Sequence, residues 1–574
     1  MGRKFFVIMM LLWLSWQLSA QHHMLWQIGA KDKSAEELAL SSLDYEQYGT
    51  MFGQTVLYEV GKNKPQTDFP FVLPGPGDAW AGSTSKQIYV RFGIKDMTEN
   101  STARLELDFV EVHPYIPPTL EITVNGFRSE ITAPAGKDQD YLDNRKPNPA
   151  TLHCEVNIPA GVLKKGSNLV SIRSTKGCWL VFDQVCLNVE RQMTLTQPAA
   201  GINLMAAEVK PALVYGKNRE LLQPVTLQVI NWGKPQTIDV LIGGVKSKQT
   251  KLNTGVSTIE VGLPEVKTES DYTIALSAKS KIIEEIVVKA FPVKLRTVYL
   301  MQHTHTDIGY TKPQTEILAE HIRYIDYAVE YCELTENYPD DAKFRWTCEA
   351  SWAVKEYILN RPKEQVDKFV KYVRAGQIEV AGMFFNMSEI VDENSFKTFF
   401  EPLRTFKELG IPVKTAVQND VNGIAWCLAD YLPDLGIKYF TMGENGHRAL
   451  IPFDRPTLYK WESPSGKFLY SYRSDHYMTG NFWGIDKVDD IEKMAPAVFG
   501  YLDGLVRRGY PFDAVGVQYS GYYTDNSPPS IHECDVIRDW NDKYAVPKLR
   551  SALFHEFLDD VTARYDDRLP VIRA

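Results

Sequence analysis

At residue 296 the hydrophobic rhythm of the chain changes, and no other feature limits the fold so strongly. After the apolar run "TVYLMQ" and Pro313, the residues Leu318, Ile322, Ile325, Val329 and Cys332 recur at spacings of four, three, four and three, which mark one face of an α-helix. Strand-like and helix-like segments then alternate. "KFRW" precedes helices expected from 349 and 363, "QIEVAG" one from 394 and "VKTAVQ" one from 424; "IKYFTM", "FLYSYRS" and "AVGVQYS" follow, before a helix opened by Ser527-Pro528. Such alternation predicts a parallel α/β sheet or barrel over residues 296–574. In these folds chemistry sits at the carboxyl ends of the strands.

Upstream the period is two. Residues 21–190 read as short alternating strands, among them "KQIYVRFGI", "ARLELDFVEV" and "TLEITVNGFRSEI", which predict a β-sandwich. Asn125-Gly126 inside "TVNGFR" signals a hairpin, because both turn residues must accept positive φ. Residues 191–295 repeat the pattern in "PVTLQVINWG", "QTIDVLIGG" and "DYTIALSAKS", as an immunoglobulin-like sandwich would. At 574 residues the chain exceeds what one hydrophobic core sustains, so several domains are expected. The first twenty residues, with Arg3 and Lys4 ahead of an apolar run from Phe5 to Leu18, have the form of a secretory signal peptide. That run is shorter than the roughly 20 residues that cross a bilayer, and no later segment is long and apolar enough to span, so a secreted or periplasmic protein is expected. The formal net charge of -9 and the lack of a Lys/Arg run argue against a nucleic-acid partner. Seven cysteines show no CxxC pair or zinc-ribbon spacing; the cluster Cys154, Cys178, Cys186 has room for one disulfide.

Two stretches carry chemistry. In "LMQHTHTDIGYTKP" an apolar strand ends by presenting His303, His305 and Asp307 at alternate positions, where side chains two apart share a face. Imidazole and carboxylate together suit Zn²⁺, which takes three protein ligands and keeps one position open when catalytic. In "AVQNDVNGIAW" a second strand runs into Asp420, which puts a carboxylate at another strand end.

These residues carry a resemblance. "HTHTDIGY" resembles the H-x-H-x-D-x-G-W opening of glycoside hydrolase family 38, the zinc-dependent α-mannosidase family. "FRWTCEASW", "GQIEVAGMFFNMSE", "QNDVNGIAW" and "LYKWESPSGK" resemble later segments of that family in the same order, so the likeness covers residues 296–574. It implies a multidomain fold in which β-sandwiches precede a family 38-type α/β barrel, acting on glycan or polysaccharide with one zinc ion per chain. His305 and Asp307 would be metal ligands, and Asp420 both ligand and nucleophile of a retaining glycosidase. Asp525 in "VQYSGYYTDNSPPS" stands where the family keeps its acid/base. His303, Tyr310, Glu349, Glu389, His447, Asp475 and His476 are the expected substrate contacts. Within 21–190, "IPAGVLKKGSNLVSIRS" followed by "LVFDQVCLNV" resembles jelly-roll carbohydrate-binding domains and the terminal sandwich of some rhamnogalacturonan lyases.

Departures accompany the likeness. Tyr310 replaces a usual Trp, "NDVNGIA" replaces D-P-F-G-H-S, and no later histidine matches the family's fourth metal ligand, so the barrel is expected to be incomplete. The rival readings are a secreted carbohydrate-binding protein without catalysis, and a metal-dependent polysaccharide deacetylase. The latter needs two histidines spaced along a later helix, which the sequence lacks.

Overall fold

The computed structural model describes residues 23–97, 101–145, 152–386, 391–446, 452–522 and 524–573. The expected leader, residues 1–20, lies outside the described residues, as do Glu389 and His447. The chain forms two compact units: residues 1–203 with 229–238 and 251–257, and residues 204–228 with 239–250 and 258–574.

In the first unit the period-two pattern becomes a sandwich. One sheet runs His23–Gly29, Leu180–Val189, Ala103–Val112, Leu152–Ile158, and the other runs Thr194–Thr196, Gln87–Asp96, Gly166–Lys176, Thr119–Val124, Phe127–Thr132. Along Thr119–Val124 burial alternates residue by residue: Leu120, Ile122 and Val124 are inside. They join one core with Leu105, Leu107, Leu180 and Phe182 from the opposite sheet. Each such side chain stabilises the fold by about 1.5–3 kcal/mol. The Asn125-Gly126 hairpin forms, with φ of 48° and 94° and Val124 paired to Phe127. All seven cysteines are free thiols, six of them buried, so the 154/178/186 cluster holds no disulfide.

The second unit carries the strand–helix alternation. Its elements are β1 (Thr297–Thr304), α1 (Gln314–Leu334), β2 (Trp346–Cys348), α2 (Ser351–Asn360), α3 (Lys363–Arg374) and β3 (Ile378–Val380). There follow β4 (Thr415–Val417), α4 (Leu428–Asp434), β5 (Tyr439–Met442), β6 (Thr457–Glu462), β7 (Phe468–Arg473), α5 (Ile491–Arg507), β8 (Ala514–Ser520), α6 (His532–Lys543), β9 (Lys548–Ser551) and α7 (Phe554–Tyr565). On α1, Ile322, Ile325, Val329 and Cys332 are buried as their spacing predicts. The helix expected from Ser527-Pro528 starts at His532 instead. Pro528 and Pro529 belong to the preceding loop, where the Pro528 carbonyl accepts the Tyr522 N–H at 3.2 Å.

β1 is buried from Leu300 to Thr304, as a parallel strand covered on both faces should be. It pairs in parallel with β8 along one side, and with β9 and then β2 along the other; β2 continues to β3. A second sheet holds β4, β5 and β7 in parallel, with β6 antiparallel to β7. The two sheets meet where the Gly382 N–H donates to the Thr415 carbonyl at 2.8 Å. Between β7 and β8 the contacts are side-chain bonds: Tyr472 Oη–H to the Gly516 carbonyl at 2.8 Å and Gln518 Nε2–H to Ser474 Oγ at 2.9 Å. The strands thus form two linked parallel sheets, and no closed ring of main-chain ladders is present among the described residues. Phe557, Leu558 and Val561 of α7 complete a core with Val298, Leu300, Val515 and Val517. Leu213–Tyr215 also pairs with Tyr544–Val546, a long-range pairing that no local pattern announces.

Candidate metal centre

Five strand ends deliver polar side chains to one place. His305 follows β1, Glu349 follows β2, Asn386 lies beyond β3, Asn419 and Asp420 follow β4, and Asp525 follows β8. The His305 N–H donates to the Asp525 carbonyl at 2.9 Å, and the Asp420 N–H to the Gly443 carbonyl at 2.9 Å, so both loops are tied by main chain.

His305 presents its two ring nitrogens to different partners. Nδ1 lies 2.8 Å from Glu349 Oε1, while Nε2 lies 3.5 Å from Asp307 Oδ1 and 3.8 Å from Asp420 Oδ2. One ligand atom from each of His305, Asp307 and Asp420 falls within 4.8 Å of the others. Ligands about 2 Å from a tetrahedral ion stand roughly 3.3 Å apart, so the spacing suits a small divalent cation. Asp420 Oδ1 is buried and has no hydrogen-bond partner among the described residues, which leaves an acceptor for such an ion or for substrate. The donor set, one nitrogen and two carboxylates with the acids partly exposed, fits a metal that keeps an open position.

The electrostatics follow the geometry. Burial pushes His305 down, but the charge of Glu349 and the bond to Asp307 outweigh it and raise the imidazole to about 10. Burial pushes Asp307 up, and His305 overcomes this to hold it below the usual carboxylate range. Glu349 is likewise pushed up by burial and held well down by His305 and His303. A metal ion at Nε2 would take the place of a proton there, so binding would release protons.

Several expected contacts lie elsewhere. His303 is fully buried: Nδ1 is 2.7 Å from Glu349 Oε2, and Nε2–H donates to the Tyr477 carbonyl at 3.0 Å. It supports the site from beneath and does not reach a substrate. Glu349, 1% exposed, is equally inaccessible. Asp475 is taken up by Arg508, at 2.8 and 3.2 Å, and by Arg473 at 3.3 Å, which makes it part of a structural ion cluster. His476 stacks on Tyr477 at 4.5 Å and packs against Phe482. Tyr310 is 74% exposed on the loop after Asp307. Asp525 Oδ2 accepts from Tyr477 Oη–H at 3.1 Å, and burial together with the charges of Asp420 and Asp525 pushes the Tyr477 phenol upward.

The structure adds four residues that the motifs did not single out. Asn419 and Asn386 donate to Glu349, Asn526 Nδ2–H donates to Asp307 Oδ2 at 2.7 Å, and Tyr477 lies against His305 with ring centroids 5.0 Å apart. Three of them are sequence neighbours of predicted residues; Asn386 carried no signal.

Two stretches of the chain match known families. Residues 295–574 match the model of the Glycosyl hydrolases family 38 N-terminal domain, and residues 24–187 match a CBM-like domain, Polysaccharide lyase family 4, domain III. Residues 295–574, just under half of the chain, are thus similar to glycoside hydrolase family 38. Among solved structures, an alpha-mannosidase from Enterococcus faecalis V583 is similar at 16% identity and a TM-score of 0.39, over 49% of this chain and 30% of its own. A protein in glycosyl hydrolase family 38 from Enterococcus faecalis is similar at 14% identity and 0.34, over 49% and 29%. A 4-alpha-glucanotransferase from Thermococcus litoralis follows at 13% identity and 0.32, over 49% and 40%. The chain spans under a third of the length of the first two. No curated protein matches it.

Proposed function

We propose that the protein is an exported, zinc-dependent retaining glycosidase acting on glycans, with His305, Asp307 and Asp420 as metal ligands. The convergence of these three side chains from the ends of β1 and β4 is the observation that carries the reading. Zinc, when bound, would supply Lewis-acid affinity for sugar hydroxyls and favour ring distortion. Asp420, with one oxygen toward His305 and the other without a hydrogen-bond partner among the described residues, is the nucleophile that attacks the anomeric carbon. Asp525, held by Tyr477 Oη–H and by the Asn526 N–H at 2.9 Å, protonates the leaving oxygen and then withdraws a proton from water. His305 keeps the two acids on either side of its Nε2, and Asn526 fixes the rotamer of Asp307. Residues 24–187 are proposed to bind polysaccharide beside this activity, in keeping with their CBM-like match. Export rests on the form of residues 1–20.

The test is turnover of aryl α-glycosides, with α-mannoside first. Asp420→Asn should abolish it, since a carboxamide is a poor nucleophile; retained turnover would remove Asp420 from that role.

A further inference from the structure

We propose that Glu349 is a positioning residue for the metal centre: one buried carboxylate that sets which nitrogen His305 offers to the ion and holds Asp420 in register with it. The inference rests on the metal-site reading above.

An ionised carboxylate has about four acceptor positions. Glu349 meets side chains from three other strand ends. Oε1 receives His305 Nδ1–H at 2.8 Å and Asn386 Nδ2–H; Oε2 receives Asn419 Nδ2–H at 2.7 Å and lies 2.7 Å from His303 Nδ1 as an ion-pair contact. At 1% exposure, with both oxygens held from within the protein, it is shut off from a metal ion or a sugar hydroxyl.

Two consequences follow for the ligands. With Nδ1–H committed to Glu349, the nitrogen of His305 left for a metal ion is Nε2, which faces Asp307 and Asp420. Asn419, pinned by Glu349, also accepts the Gly443 N–H on Oδ1 at 2.7 Å, while the Gly443 carbonyl takes the Asp420 N–H at 2.9 Å. Removing the carboxylate therefore loosens two ligands that lie on different strands. His303 completes the clamp from below, tied to Glu349 at one nitrogen and to the Tyr477 carbonyl at the other. Partners of this kind orient metal-ligating histidines, and their loss weakens metal binding about 10- to 100-fold.

Glu349→Gln keeps the volume but presents an NH₂ group to one of the donors. The experiment measures zinc affinity of the full chain by competition with a chromophoric chelator, together with the visible spectrum of the cobalt-substituted protein and the far-UV circular dichroism. Expected are unchanged dichroism, zinc binding weaker by about 10- to 100-fold, and cobalt bands shifted from those of the wild type. A folded variant with affinity within about twofold of wild type and the same cobalt spectrum would overturn the positioning role while leaving the metal site standing. A wild-type chain that binds no zinc would sink the metal reading, and this inference with it. Should Glu349→Gln fail to fold, Glu349→Asp gives the same test: it keeps the charge but is one methylene too short to reach both rings, and wild-type affinity in it would equally overturn the proposal.

Discussion

Asp420 adopts a φ of 62°, in the left-handed region that ordinary side chains enter at a cost of about 1–2 kcal/mol and that Asp and Asn tolerate best. Strain of this sort gathers at functional sites, where the surrounding bonds impose it. Here the Gly443 carbonyl imposes it through the Asp420 N–H. The Asn variant should therefore fold like the wild type, whereas Asp420→Ala should lose about 1 kcal/mol of stability as well as turnover, a difference readable by denaturant unfolding. His305 and Asp307 stood out in the sequence by alternate spacing at a strand end and Asp420 by its place after a second strand, while the choice of these three as a ligand set came from the resemblance to family 38. What stayed hidden is that His303 and His305 share Glu349 while only His305 turns its second nitrogen to the acids. Residue spacing gives the face of a strand, and side-chain rotamers decide which partner is met.

Among the elements, the hairpin at Asn125-Gly126 was readable because its turn demands positive φ at both positions. A Cβ on Gly126 would meet nothing within 4 Å, so Gly126→Ala isolates the backbone term; with φ at 94° it should cost about 1 kcal/mol, measured as a lowered unfolding midpoint. Helix α6 supplies a pH prediction. Glu533 on it is 1% exposed, and burial raises its carboxyl to about 8. A raised acid binds its proton more tightly in the folded state, so between the unfolded value and about 8 stability falls as pH rises. Glu533→Gln should remove that fall, with a gain over wild type that is small at pH 5 and grows to a few kcal/mol, about 2–4, at pH 9; melting curves across that range check it. An unchanged pH profile in the variant would show that Glu533 titrates normally. The start of α6 was misjudged, because Ser527-Pro528 has the composition of a helix opening while its backbone serves the loop that supports Asp525.

At the scale of the whole molecule, the switch of hydrophobic period at 296 marked where sandwich gives way to parallel α/β structure. The strand–helix alternation was readable from spacing alone, and so was the placing of chemistry at carboxyl strand ends. The arrangement of those strands was not. A parallel strand is apolar on both faces, so its sequence does not encode its neighbours. The break between β7 and β8, bridged by Tyr472 and Gln518 side chains, and the pairing of Leu213–Tyr215 with Tyr544–Val546 both depend on contacts far apart in sequence. The scaffold brings His305, Asp307 and Asp420 together, and the metal ion proposed to sit among them is the point on which the proposed function depends. Elemental analysis of the purified chain, equilibrated with a modest excess of zinc and desalted, tests it directly. The prediction is about one zinc ion per chain, lost in a folded Asp307→Ala variant; a wild-type chain that keeps no zinc would contradict it.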